Sequence, residues 1–386
     1  MNVLILNYEY PPVGGGGGVA TKSLAEEMVR RGHSVSVLTT HMHGLAWHEE
    51  SEGVKIYRVP VLFRRSQQTA SLASLFTWPF TSIPIGLILC LRFKFDIINT
   101  QFFSPTGPTG YILSKLTGIP NCIYGHGADI YDPARINKTP SGRGLLSRLL
   151  LRSLRIQVKG AEGIAVQSND TKMRLEALLD GAIPKITVIP LPFQKPEDNF
   201  EKEQIHKSHE TFNLISLGRI VKRKGYEYLL RALQKLPEDI TLTIVGDGPE
   251  KSKLEGITKE LEIMGRVRFT GYVSEKEKYK LLKSSDCYVL SSLHEGMGIV
   301  VQEAMFVGLP IVATNNGGQN DLLEDTWNAL LVPPKSVEKL AEAIMNVYND
   351  TNLQIEMSKR NREAIREYFV DEVVNQYEHY FLRCIK

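Results

Sequence analysis

The sequence predicts two doubly wound α/β domains in one chain. Strand-like and helix-like runs alternate through the first half, and the same alternation restarts in the second. A polar, charged stretch, "QKPEDNFEKEQIHKSHET" (194–211), separates the two series and has the composition of a linker. The length of 386 residues suits two domains better than one. In such folds ligands bind beyond the carboxyl ends of the strands, so those ends are expected to face each other across a central cleft.

"NVLIL" (2–6) reads as a buried first strand, not a signal peptide, because its apolar run is short and follows no basic segment. Five glycines follow in "YEYPPVGGGGGVA" (8–20). "TKSLAEEMVRRGH" (21–33) has apolar positions at helical spacing, a start placed near Val19 and Gly32 as its stop. Strands are expected in "SVSVLTT" (34–40), "VKIYRVP" (54–60), "FDIINTQ" (95–101), "PNCIYGHG" (120–127), "GIAVQS" (163–168) and "ITVIPLP" (186–192), with a helix in "TGPTGYILSKLTG" (106–118). Beyond the linker the strands are "FNLISLGR" (212–219), "ITLTIVGDG" (240–248), "RVRFTGYV" (266–273), "CYVLSS" (287–292), "IVATN" (311–315) and "ALLVPP" (329–334), with "YEYLLRALQKL" (226–236) a helix. The expected division is 1–195, 205–365 and a C-terminal helix, 366–386, that packs back on the first domain.

Composition narrows the function. A net charge of +3 is too weak to argue for nucleic acid. Cys90, Cys122, Cys287 and Cys384 stand far apart, which fits reduced thiols in a cytoplasmic protein and neither a disulfide frame nor a zinc site. Two segments bear on membranes. Ser66–Leu91 carries no charge and is flanked by Arg64, Arg65, Arg92 and Lys94. Pro79, Pro84 and its hydroxyl residues favour burial in the domain core over a spanning helix, with an apolar membrane-surface face between those readings. "SGRGLLSRLLLRSLRIQVKG" (141–160) sets Arg143, Arg148, Arg152 and Arg155 along a leucine-rich helix. That pattern fits a membrane-surface helix or a half-buried helix with a solvated edge.

The glycine run admits several readings. Gly15, Gly17 and Ala20 fit a dinucleotide fingerprint, but "NYEYPPV" separates them from the strand and the second strand ends in Thr39 and Thr40, not an acid. A P-loop needs Gly-Lys-Ser/Thr, and Val19-Ala20 stand there. An exposed slack loop remains, as does a loop whose bare amides meet phosphate or sugar oxygens. Downstream, "GRIVKRKG" (218–225) puts Arg219 and Lys224 after a strand, where two cations suit a diphosphate; Lys222 and Arg223 read as surface charge. In "SSLHEGMGIVVQEAMFVGLPIVATNNGG" (291–318), Gly296–Gly298 would aim amides at an anion, and Glu295 and Glu303 can face one hydroxyl-rich ligand.

With "HGADI", "VGDGP" and "GYVSEKE" between them, these blocks stand in the order of the retaining GT-B glycosyltransferases, and 291–318 resembles the E-x7-E signature of glycosyltransferase family 4. The resemblance implies a GT-B fold of two Rossmann-like domains around a cleft. It implies transfer of a sugar from a UDP- or GDP-linked donor to a glycan or lipid-linked acceptor, with retention and without a metal. Arg219 and Lys224 then resemble the diphosphate pair, Glu303 the ribose ligand and Glu295 the contact to the donor sugar. The amides of Met297, Gly298 and Ile299 resemble further phosphate and sugar contacts, and Tyr272 and Val273 the border of the nucleobase. His126 matches the histidine beside the transferred sugar, its plain alternative being a structural hydrogen bond; Gly15, Gly16, Gly17 and Gly18 resemble the loop that covers the donor. Met297 stands for the family's usual aromatic, Asp321 for its usual Glu, and "VIPLPFQ" (188–194) lacks its Asn-Gly-Val-Asp hinge. Arg219, Lys224, Glu295 and His126 are the expected catalytic set, and no metal or other cofactor is expected. An anionic membrane is an expected partner at the cytoplasmic face, and nucleic acid is not. A nicotinamide-dependent oxidoreductase and a non-catalytic sugar-nucleotide binder are the competing readings.

Overall fold

A computed structural model describes residues 1–64, 70–127, 145–179, 185–196 and 211–385. The chain forms two compact units, Met1–Gln194 with Phe369–Lys386, and Lys195–Tyr368. The first is built on β1 (Asn2–Leu6), α1 (Gly16–Arg30), β2 (Ser34–Thr40), β3 (His48–Ser51), β4 (Val54–Val59), α2 (Leu72–Arg92), β5 (Ile97–Gln101), α3 (Gly107–Thr117), β6 (Asn121–Gly125), α4 (Leu145–Gly160), β7 (Gly163–Val166), α5 (Asn169–Leu179) and β8 (Ile186–Val188). Its sheet runs β3-β4-β2-β1-β5-β6-β7-β8 and is parallel except for β3. Apart from the outer β3, its neighbour β4 and short β8, the strands are nearly continuous buried runs, as parallel strands covered on both faces require.

β3 has no counterpart among the expected strands. "HEES" is polar and mostly exposed, so its pairing with β4 leaves no apolar alternation to read. The last expected strand, 186–192, shortens to Ile186–Val188. The helix Val370–Ile385 returns to this unit and buries Tyr377 and Phe381. Its Glu378 meets Arg31 at 3.1 Å and His33 at 2.8 Å.

The second unit holds β9 (Phe212–Leu217), α6 (Tyr226–Gln234), β10 (Ile240–Val245), α7 (Lys251–Glu260), β11 (Val267–Gly271), α8 (Glu275–Lys283), β12 (Cys287–Leu290), α9 (Ile299–Val307), β13 (Ile311–Thr314), β14 (Leu330–Val332), α10 (Val337–Asn349) and α11 (Thr351–Ala364). Its all-parallel sheet runs β11-β10-β9-β12-β13-β14. One cluster, including Leu214, Leu229, Leu242, Val289 and Ile344, fills the space between sheet and helices. In both units the strand order reverses beside the first strand, between β1 and β5 and between β9 and β12. Loops on either side of such a reversal diverge and leave a crevice for ligands.

The uncharged stretch is core on one side only. Its described part lies in α2, which buries Trp78, Ser82 and Leu89 on one side. The other side exposes Phe76, Phe80, Ile88 and Leu91, with Phe80 79% and Leu91 78% accessible. Spacing near four residues makes one apolar stripe, and counting charges along the sequence could not tell which side it faced. Arg65 and residues 66–69 lie outside the described residues, as do Arg143, residues 128–130 of "HGADI" and most of the linker. Among the described residues, Ala73–Arg92 alone is long and apolar enough to cross a membrane by length and composition.

Candidate active site

Residues that follow β9 and β12 start side by side, because these strands are neighbours. The first loop carries Arg219 exposed, then a single 3-10 turn, Lys222–Lys224, that swings Lys224 inward to 5% exposure. Lys224 Nζ lies 2.6 Å from Glu295 Oε2, and Ser292 Oγ donates to the same oxygen at 3.3 Å. Arg223 Nη1 donates to Glu295 Oε1 at 3.2 Å and to the His294 carbonyl at 3.1 Å. Burial alone would raise the Glu295 carboxyl, but Lys224 and Arg223 outweigh it and hold it at about 2. Glu295 is therefore ionised throughout the neutral range.

The loops are stitched to one another by backbone. Leu293 N donates to the Arg223 carbonyl at 2.7 Å, Ser291 Oγ to the Lys224 carbonyl at 3.0 Å, and Gly318 N to the Glu295 carbonyl at 2.8 Å. A Cβ on Gly317 would stand 2.2 Å from that carbonyl oxygen, which accounts for the first glycine of the pair in "NNGG". Arg223 corrects the reading of it as plain surface charge: its side chain is half exposed but bonded to Glu295. That role depends on a contact 72 residues away in sequence and has no local signal.

Gly298 caps α9 with φ of 94°, a left-handed conformation that strains any side chain. Met297 before it is buried, an apolar fit where the family's usual aromatic is absent. Ile299 opens the helix, whose first N–H groups have no intrahelical acceptor and give the end partial positive charge. Glu303 sits one turn into α9 and is 6% exposed. Its Oε1 lies 2.5 Å from Lys278 Nζ, and its Oε2 is buried without a hydrogen-bond partner. Burial raises this carboxyl, with Lys278 opposing. Lys278 was missed in the sequence because "EKEKYK" reads as a solvated charge run. Tyr272, 76% exposed, and Val273, partly buried, occupy the turn from β11 into α8, the helix that carries Lys278.

In the first unit, His126 follows β6 and is buried. Its Nε2 lies 2.7 Å from Gln101 Oε1. Gln101 gives its own amide hydrogen to Asn99 Oδ1, so its oxygen is the acceptor and His126 Nε2 carries the proton. Nδ1 is then an acceptor, buried and without a hydrogen-bond partner. Burial pushes the imidazole down to about 3, so the ring is neutral near pH 7 and offers an accepting lone pair, not a proton. It stacks on Phe102 at 4.1 Å. A Cβ on Gly17 would approach Nδ1 to 3.1 Å and Phe102 Cζ to 2.7 Å, so the glycine run lies directly on this pair.

The run itself is less loop than expected. α1 begins at Gly16, with Gly15 as its extended N-cap, three residues before the expected start at Val19. Glycine's poor helix propensity hid this, and the close approach of the Glu9 backbone, which leaves no room for a Cβ at Gly18, explains the glycine there. Gly15 and Gly16 are exposed at the helix end, while Gly18 is buried. Thr40, at the end of β2, donates to the Tyr8 carbonyl at 2.8 Å, so no carboxylate stands where a dinucleotide ribose would need one. Among the described residues no three His, Cys, Asp or Glu side chains cluster as metal ligands.

Each of two stretches of the chain matches a known family. Residues 15–192 match the family described as "Glycosyl transferase 4-like domain", and residues 197–364 match "Glycosyl transferases group 1". The chain is a glycosyltransferase of the GT-B fold, related to glycosyl transferases group 1. The glycosyltransferase carries Arg219, Lys224, Glu295 and Glu303 in the second matched region and Gly15–Gly18 with His126 in the first. It is similar to an uncharacterized glycosyltransferase of Methanocaldococcus jannaschii, MJ1607, 26% identical over 97% of this chain and 96% of that one. Its fold matches sucrose-phosphate synthase from Thermosynechococcus elongatus with a TM-score of 0.84, at 20% identity over 99% and 98% of the two chains. It also matches Anabaena HepE in complex with UDP-glucose, with a TM-score of 0.75, at 20% identity over 98% of each.

Proposed function

We propose that this glycosyltransferase moves a sugar from a UDP- or GDP-linked donor to an acceptor hydroxyl, with retention of configuration and without a metal. The observation that carries the reading is a cationic cradle: Lys224 bound to the ionised Glu295, exposed Arg219 on the same loop as Lys224, and the N-terminus of α9 following Glu295 in the chain. Cleavage of the bond between the anomeric carbon and the diphosphate leaves charge on phosphate, and this cradle can take it up where other enzymes use a divalent ion. The acceptor oxygen bonds to the same face of that carbon, and its proton passes to the departing phosphate oxygen. Glu295, fixed and ionised, accepts hydroxyls of the sugar, and Glu303 accepts hydroxyls of the ribose. Tyr272 and Val273 border the base, the amides of Met297 to Ile299 meet phosphate, and Gly15–Gly18 and the neutral His126 are assigned to the donor by the family resemblance. HepE binds UDP-glucose, which makes UDP the first nucleotide to try.

Thermal denaturation with UDP, GDP and NAD tests the donor class. A nucleoside diphosphate at about 100 times its dissociation constant should stabilise the folded state by about 2.7 kcal/mol. Stabilisation by NAD, with UDP and GDP inert, would replace this reading with the oxidoreductase one. Binding without donor hydrolysis or transfer would leave a non-catalytic binder.

The acceptor is proposed to be a lipid-linked glycan reached from an anionic bilayer at the cytoplasmic face. Support lies in the first unit. Helices α2, α3 and α4 contain no acidic residue but carry Arg92, Lys115, Arg148, Arg152, Arg155 and Lys159. They expose Phe76, Phe80, Ile88, Leu91, Leu116 and Leu149, and α3 packs against both neighbours. Aromatic and aliphatic side chains among cations suit an interface with anionic headgroups. The inward side of α4, with Leu154 and Val158 buried, shows that it also serves the core. Phe80→Glu with Leu91→Glu should abolish sedimentation with phosphatidylglycerol vesicles and leave the melting temperature unchanged, since both side chains are largely in solvent. Failure of the unaltered chain to bind such vesicles at low salt would remove the membrane from the proposal.

A further inference from the structure

Helix α8 buries Tyr279 and Leu282, and all of its charged side chains but one are exposed. Glu275, Lys276, Glu277, Lys280 and Lys283 are exposed, whereas the Lys278 side chain is 15% accessible and turns toward α9. Its ammonium lies 2.5 Å from Glu303 Oε1 and 2.8 and 2.7 Å from the two oxygens of Glu275. Three donors thus meet three acceptor oxygens, and the head group is fully engaged. Glu275 is 77% exposed and Glu303 buried, so Lys278 bridges a carboxylate in water to one out of it. The second oxygen of Glu303 has no hydrogen-bond partner.

A buried carboxylate with one oxygen clamped and the other vacant is preset to accept from a ligand. We infer that Lys278 is a positioning residue, which holds Glu303 in one orientation so that Oε2 accepts a hydroxyl of the donor's ribose. The inference rests on the reading of Glu303 as the ribose ligand and adds the group that makes it competent. No local motif marks Lys278, since an ordinary surface lysine looks the same in sequence.

The electrostatics act in the same direction. Burial raises the Glu303 carboxyl; Lys278 and, from farther off, Lys224 oppose this, and Glu275 adds to the rise. Tyr279 on α8 and Tyr288 on β12 also face it, both held protonated by burial above all. Without the Lys278 charge the Glu303 carboxyl rises further. A protonated carboxyl accepts less well, so donor binding should then fail at a higher pH as the solution is acidified.

The test is calorimetric titration with UDP or GDP, whichever binds the unaltered chain more tightly, from about pH 5 to 8. Lys278→Met should weaken binding about tenfold at neutral pH and move the acid limb to higher pH. Lys278→Arg should restore the limb by supplying the charge again. Lys278→Gln, which keeps a donor beside Glu303 and is gentler on the fold, should shift the limb as Met does. An acid limb unmoved in both neutral variants would overturn the inference, whatever happens to the melting temperature. Glu303→Gln separates the two claims: normal affinity there removes the ribose role itself. Weak affinity there, with unmoved limbs in the Lys278 variants, removes the positioning role alone.

Discussion

Lys224→Ala is expected to lower transfer by about a thousandfold, the upper range for removing one preorganised charge partner from a developing anion. The same change should weaken UDP binding and leave the affinity for uridine as it was, because the ammonium is assigned to the diphosphate and not to the nucleoside. The structure adds a second effect that a surface lysine would not have. Lys224 and Glu295 are both buried and 2.6 Å apart. Removing one member of a buried pair leaves the other uncompensated, at a cost of about 3–5 kcal/mol. Arg223, half exposed, remains on Glu295 and softens this. The melting temperature should therefore fall in Lys224→Ala and recover in the double variant with Glu295→Gln, while transfer stays lost. Unchanged UDP affinity and near-normal turnover in Lys224→Ala would end the diphosphate assignment.

That pair also sets where pH can act. The Glu295 carboxyl lies below its ordinary value, so the stabilisation it brings is present above the unfolded carboxylate range and lost only as pH falls toward about 2. Glu303 is shifted the other way by burial. The two glutamates of the E-x7-E stretch are thus shifted in opposite directions, although in the sequence they look alike. The acid limit of transfer should follow Glu303, and Glu303→Gln should flatten it.

How legible the molecule was follows from which interactions are local. The parallel strands could be read because burial on both faces makes each an unbroken apolar run, as in "NVLIL" and "CYVL". The polar edge strand His48–Ser51 could not, since its register depends on β4 alone. Cations and glutamates at strand ends were visible as types at the right places, and the strand order then put both loops at a crevice. Their partners were not visible. Arg223 and Lys278 differ from neighbouring lysines and arginines only in what the fold sets opposite them. The same limit applies to α2, where the sequence showed a lack of charge and only packing against β4 and α3 decided which side is exposed.

Gly18→Ala is the second change expected to be severe. Gly18 lies in the first turns of α1, and a Cβ there would stand 2.4 Å from the Glu9 carbonyl oxygen and 3.0 Å from its carbon. Both are backbone atoms, so no side chain can rotate away. Glu9 is itself tied down: its N–H donates to Asn7 Oδ1 at 2.8 Å, and Asn7 Nδ2 donates to Thr21 Oγ1 at 2.7 Å on α1. Either the loop or the helix end must move, at about 1–3 kcal/mol for an overpacked site. The movement would carry Gly17 off the Phe102–His126 pair, and a misplacement near 1 Å is enough to cost about a hundredfold in rate. Gly15→Ala is the control. A Cβ there meets nothing within 4 Å, and φ of −131° suits any residue, so the melting temperature should not change. A loss of transfer in Gly15→Ala would then report a ligand that needs the bare backbone at the helix end. Full activity in Gly15→Ala beside loss in Gly18→Ala would mean that the glycines serve the packing of loop on helix and that the donor lies elsewhere.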